Sequence, residues 1–149
     1  MLREQSYLKP GVLAAVLLLL TGCVGSATGQ LVPREYLDSG GSYYVVHQEK
    51  DGRDLHKDIA AAMRTRGMEV TSGTAADTPT DADYVITYVD RWQWDMRMYL
   101  ADLRIEMRSG ADNTIVGYGQ SAQSSLKAMG KEHGDVIATA LEQLLGPAQ

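Results

Sequence analysis

The sequence predicts an α/β fold of the α+β kind, a two-layer sandwich in which two helices cover one face of a mixed, mostly antiparallel sheet. Three observations predict it. Two segments carry apolar residues at three- and four-residue spacings, the mark of helices that bury one side. Several others alternate apolar and polar residues, the mark of strands with one face in a core. Their order along the chain is β-α-β-β-β-β-α, and two apolar helical stripes meeting one apolar sheet face close a single core.

The first strand is "SYYVVHQ", Ser42 to Gln48, rich in β-branched and aromatic residues and preceded by Gly40-Gly41. A turn at Asp51-Gly52 leads into "RDLHKDIAAAMRTRG", where Leu55, Ile59, Ala62, Met63 and Arg66 share a helical face and Gly67 stands just past the end. "MEVTS" is a short strand, and "GTAADTPTDA" is a loop by its Gly, Pro, Asp and Thr content.

The stretch "DYVITYVDRWQWDMRMYLADLRIEMRS" then alternates in one parity through Tyr84, Ile86, Tyr88, Trp92, Trp94, Met96 and Met98, and in the other through Tyr99, Ala101, Leu103, Ile105 and Met107. A change of phase marks a turn or bulge, placed here near Asp95 to Met98, so the stretch is an antiparallel hairpin. Asp102, Arg104, Glu106 and Arg108 form its solvated side. "SGADNT" is a second hairpin turn, and "IVGYGQSAQS" is a strand whose Gly117 and Gly119 point to close packing or an edge. In "KEHGDVIATALEQLLG" the residues Val136, Ile137, Ala140, Leu141 and Leu144 form one stripe, stopped by Gly146-Pro147.

The N-terminus has another character. Arg3 and Lys9 precede an apolar run from Gly11 to Leu20 that ends in "LTGC", the layout of an export signal and too short for a membrane span of ~20 apolar residues. Cys23 is the one cysteine in the chain, and "L-T-G-C" is similar to the bacterial lipobox, whose cysteine sulfur accepts diacylglycerol. An ordinary signal peptide cut after Ala27 is the alternative, with Gly25-Ser26-Ala27 as its small-residue site. The expected organisation is a signal peptide over 1–22, a lipidated flexible tether over 23–41, and a single domain over 42–146. The lipidated cysteine implies attachment to a membrane without spanning it. Val24 in place of the aspartate typical of inner-membrane retention favours the outer membrane, facing the periplasm.

Of 149 residues, removal of the first 22 leaves 127, enough for one core. Losing Arg3, Glu4 and Lys9 with the signal takes the net charge from −5 to −6, a balance that does not invite nucleic acid. No cysteine is left for a disulfide, so packing must hold the fold.

Chemistry-bearing motifs are few. "GYGQSA" fits G-x-G-x-x-A, but its glycines lie within a strand and not at a strand-to-helix turn, so close packing explains them better than a dinucleotide. His47, His56 and His133 are well separated and form no ligand pair, so no metal and no cofactor is expected. No G-x-S-x-G elbow raises a serine, and no catalytic residue is assigned.

The unusual constellation is "WQWDMRMY". Trp92, Trp94, Met96 and Met98 either continue the core face of a long strand or, with Tyr99, form a contact surface that leaves the domain for lipid headgroups or a partner, since Trp and Tyr suit half-wet interfaces.

From Tyr43 to Leu145 the succession "L..DI..AM...G", "DADYVITYVDRWQWD", "LADLRIEMRS", "IVGYGQSAQS" and a closing amphipathic helix resembles a group of small Gram-negative outer-membrane lipoproteins of unknown function. Their single α/β domain is similar to those of periplasmic envelope-assembly proteins. The resemblance implies fold and envelope location and carries no catalytic residue. The expected function is therefore an outer-membrane-anchored periplasmic lipoprotein acting as a non-catalytic binding or assembly module, its partner an envelope protein or glycolipid. The alternative is a periplasmic enzyme with an unrecognised active site.

Overall fold

The computed structural model describes residues 25–37 and 40–148. Its strands are β1 (Gly25–Gln30), β2 (Ser42–Val46), β3 (Glu69–Gly73), β4 (Tyr84–Asp95), β5 (Arg97–Ser109) and β6 (Ile115–Gln123). Its helices are α1 (Arg34–Leu37), α2 (Leu55–Arg64), α3 (Ser125–Ala128) and α4 (His133–Leu145). The strands form one open sheet in the order β1-β6-β5-β4-β2-β3. β2 runs parallel to both its neighbours and every other pairing is antiparallel. From β2 onward the long elements follow the expected β-α-β-β-β-β-α order.

The core lies between the sheet and the two long helices. Leu55, Ile59, Ala60 and Met63 of α2 and Val136, Ile137, Ala140, Leu141 and Leu144 of α4 are buried against Tyr43, Val45, Ile86, Tyr88, Leu103, Ile105 and Met107. Each fully buried aliphatic side chain stabilises by ~1.5–3 kcal/mol relative to exposure, so this cluster outweighs any polar contact in the molecule. On the other face Glu106 pairs with Arg104 at 2.8 Å and with Arg108 at 2.9 Å, the half-buried charged ladder that the alternation predicts.

The ends of the helices are satisfied differently. α4 starts with a capping box, the side chains of Glu132 and Asp135 each accepting from the other's backbone N–H. α2 has no side-chain cap at Asp54. The buried Asp51 serves instead, its carboxylate accepting from the N–H groups of Arg53 at 2.8 Å and Leu55 at 2.7 Å.

The change of phase in the long hairpin has two devices. The chain reverses on Met96, in the left-handed region at φ 58°, with Asp95 and Arg97 facing each other across it. Then Arg91 pairs with Asp102 while Trp92 pairs with Leu100, leaving Ala101 as an extra residue on β5. That bulge lets Tyr99, Leu100 and Ala101 be buried in succession.

The structure corrects the expectation for the segment ahead of β2. Residues 23–41 were expected to be a flexible tether, yet Gly25–Gln30 pairs with β6 along its whole length, Arg34–Leu37 is a helical turn and Val32 is buried. Small residues that suggest a linker here permit close approach. Gly29 faces Gly119 in register, and the backbone of α4 lies directly over both. A Cβ on Gly119 would stand 1.9 Å from the Ala140 carbonyl oxygen, and one on Gly29 2.7 Å from that of Gln143. β1 thereby covers the edge that β6 would otherwise expose. The signal segment 1–22 and Cys23 lie outside the described residues. Among the described residues no helix is long and apolar enough to cross a membrane.

Candidate functional site

The tip of the β4–β5 hairpin projects past the last residues covered by α4. Of the nine large apolar side chains exposed among the described residues, five lie at this end: Trp94, Met96, Met98, Leu126 and Met129. Trp94 is 71% exposed, Met96 94% and Met98 43%. Trp94 and Met98 face each other across the ladder, so their side chains share one side of the hairpin.

The other two residues of the expected surface belong elsewhere. Trp92 is half-buried against the core. Its indole N–H donates to Asp90 at 2.9 Å, the Arg53 guanidinium lies 4.3 Å from its ring centroid, and the His133 ring lies 6.2 Å away. Tyr99 is buried with Ala101 and Ala128, its hydroxyl donating to Gln93 at 3.0 Å. Burial of Tyr99 follows from the bulge at Ala101, which turns that part of β5 toward α3.

Leu126, Lys127, Met129 and Lys131 join the tip and were not singled out from the sequence. Arg97 places them, its guanidinium donating to the carbonyls of Ala128 and, at 2.9 Å, of Lys131. The available signal was "SLKAMGK", apolar and basic residues interleaved directly after a strand. The tip therefore combines exposed Trp, Leu and Met with Arg97, Lys127 and Lys131, although the chain as a whole is acidic.

A second polar cluster sits where β2 passes into α2. The Tyr88 hydroxyl donates to Asp51 at 2.7 Å and accepts from the Gln48 N–H at 3.3 Å, while the Gln48 amide donates to the Tyr88 carbonyl. Burial pushes the Asp51 carboxyl upward, but the hydrogen bonds from Tyr88, Arg53 and Leu55 prevail and hold it below the usual range. Burial and then Asp51 raise the Tyr88 hydroxyl well above its ordinary value.

The histidines differ here from their expected separation. The ring centroids of His47 and His56 lie 4.3 Å apart, brought together because α2 folds back over the end of β2. His133 stands apart, its Nε2 3.0 Å from Asp58 Oδ2, joining α4 to α2. Burial, and then the neighbouring His47, push the His56 imidazole below its ordinary value, so the ring is neutral near pH 7.

No protein-family profile matches the chain, and no curated protein matches it. Among solved structures the fold is similar to that of PelC from Paraburkholderia phytofirmans, a dodecamer, with a TM-score of 0.58 at 16% identity over 80% of this chain and 96% of that one. A point variant of that dodecamer gives 0.57 at 16% identity over 84% and 99%. A minor lipoprotein from Acinetobacter baumannii aligns at 16% identity over 65% and 81%, with a TM-score of 0.31. At these identities the likeness to PelC establishes the fold alone.

Proposed function

We propose that the protein is an outer-membrane lipoprotein facing the periplasm, held by acyl chains on Cys23, and that it works without catalysis as an envelope binding or assembly module whose hairpin tip rests on the membrane surface. One observation supports this above others: the apolar tip and the start of β1 share one end of the sheet. Gly25 pairs with Gln123, Ala122 with Asp102, and Trp92 with Leu100, so the hairpin extends past the row in which β1 begins. Cys23 precedes Gly25 by two residues, and two residues of chain span at most ~7 Å. Acyl chains on Cys23 therefore enter the bilayer beside the tip, bringing Trp94, Met96, Leu126 and Met129 to headgroup depth.

The chemistry of that end suits the place. Each buried CH₂ of an acyl chain contributes ~0.8 kcal/mol and dominates the attachment. Trp and Met at the boundary orient the domain, and each Lys or Arg near an anionic surface adds ~1 kcal/mol. The charged ladder of β5 and the far edge at β3 remain turned to the periplasm, available to an envelope protein or glycolipid. Among the described residues, the groove lined by Tyr43, Thr65, Arg66, Met68 and Glu69 carries one acid, Glu69, and one guanidinium, that of Arg66. Its guanidinium is committed to the Gly146 carbonyl at 2.8 Å.

Metabolic labelling with a palmitate analogue, followed by envelope fractionation, tests the reading. The wild-type chain takes label and sediments with outer membranes, and Cys23→Ala takes none. Label retained by Cys23→Ala would overturn it.

A further inference from the structure

We infer that His47, Asp54 and His56 form a binding site for one late first-row divalent cation of the Zn²⁺ or Cu²⁺ class. Each residue offers a ligand atom, and all three atoms lie within 4.8 Å of one another. An independent observation points to a ligand. His56 is 5% exposed, and its Nδ1 is a buried polar atom with no hydrogen-bond partner. The nearest acid, Asp51 Oδ2, stands 4.0 Å away, too far for a hydrogen bond, and is already engaged by Tyr88 and Leu55. An orphaned buried imidazole nitrogen is destabilising, and metal coordination is one way of satisfying it.

The donors are prepared for such a role. His47 Nε2 lies 3.0 Å from the Asp51 backbone carbonyl, which can only accept, so the ring carries its proton on Nε2 and leaves the Nδ1 lone pair free. A ligating histidine held by a carbonyl on its other nitrogen is the usual outer arrangement of a metal site. The Asp54 carboxylate accepts a hydrogen bond from the Lys57 ammonium at 2.9 Å and keeps its second oxygen for a cation.

Two imidazoles and a carboxylate select late transition metals over Mg²⁺ or Ca²⁺, and a three-ligand site keeps a position for water or a partner's donor. Ligand atoms around a tetrahedral Zn²⁺ at ~2.0–2.1 Å stand roughly 3.3 Å apart, so closure requires movement of at most about 1.5 Å. Asp54 supplies it: it is exposed, at φ 59°, and its other commitment is the surface pair with Lys57 at 2.9 Å. The cation would clip the end of β2 to the first turn of α2, the turn that lacks a side-chain cap of its own.

The site is independent of the lipid and of the hairpin tip, and is tested on the untagged full-length mature chain in detergent. Calorimetric titration with Zn²⁺ should show one saturable site per chain, with a rise in melting temperature reversed by a chelator. His47→Gln and Asp54→Asn change partly or fully exposed residues and should retain the cooperative melt while weakening binding at least tenfold. Absence of saturable binding to the wild-type chain, or undiminished binding in either variant, would overturn the site.

Discussion

Along β4 the side chains of Tyr84, Ile86 and Tyr88 and, opposite them on β5, Ile105 and Met107 are sealed beneath α2 and α4. Further along the same two strands, Trp94 and Met98 continue the pattern of large apolar side chains opposite one another, yet both are exposed. The difference lies in what stands across from the strands. α4 begins at His133, whose ring reaches Trp92, and among the described residues no long helix continues beyond that point. Alternation therefore reports which face of a strand is apolar, and burial depends on whether a second layer extends that far. Past that limit an apolar face stays exposed.

The sharpest way to break this comparison is truncation of matched residues on β5. Ile105 is fully buried, opposite Tyr88 on one side and Gly119 on the other, so Ile105→Ala should cost about 2–5 kcal/mol through lost transfer energy and the cavity left behind. Met98→Ala, seven residues earlier on the same strand, should cost less than about 0.5 kcal/mol. Chemical denaturation of both variants measures the contrast, and equal losses would mean that the tip is packed after all.

Legibility in the sequence follows the same physical line. All five stripe residues of α4 are buried, and the hairpin and its solvated ladder stand where the alternation puts them, because periodicity records a packed face directly. β1 was not legible. "GSATGQ" has the composition of a linker, and the same glycines are what a strand lying directly under a helix requires. At the tip, Trp94, Met96 and Met98 were recognisable as unusual, but exposure is a property of the absent second layer and no residue on the strands encodes it. Tyr99 left the surface because the Ala101 bulge shifts phase by one residue, and a bulge without glycine or proline leaves little local trace. The pairing of His47 with His56 arises from the turn of α2 over β2, with no spacing motif to announce it.

A smaller effect separates the two faces at the base of the hairpin. Glu106 is held below the usual carboxylate range first by its hydrogen bond from Arg104 and then, against the opposing pull of burial, by Arg108. Its folded-state pKa is thus lower than its unfolded one. The stability it contributes is present above the ordinary glutamate value near 4.5 and is lost as pH falls through the depressed folded value. Glu106→Gln should therefore cost about 0.5–1 kcal/mol at pH 7, and the difference from wild type should close as acid protonates the carboxylate. Melts at pH 7, 5 and 3 check this, and a gap that widens toward low pH would reverse the assigned sign.

The smallest change in stability accompanies the most informative loss of function. Trp94 is 71% exposed, so its indole has little packing to lose, and Trp94→Ala should shift stability by no more than about 0.5 kcal/mol. In the membrane reading the same ring lies at headgroup depth, where an indole suits a boundary that is apolar on one side and wet on the other. An unlipidated Cys23→Ala chain, relieved of the dominant acyl anchor, should still associate with vesicles containing anionic phospholipid, and added salt should weaken that association by screening Arg97, Lys127 and Lys131. Trp94→Ala in that background should lower vesicle affinity several-fold and blunt the fluorescence change to whatever Trp92 reports, which is little because that ring is already packed. A cooperative melt preserved together with lost vesicle binding places the energy of Trp94 in the interface. Unchanged vesicle binding would remove the tip from the membrane, and a collapsed melt would return Trp94 to the core and erase the contrast between the two ends of the hairpin.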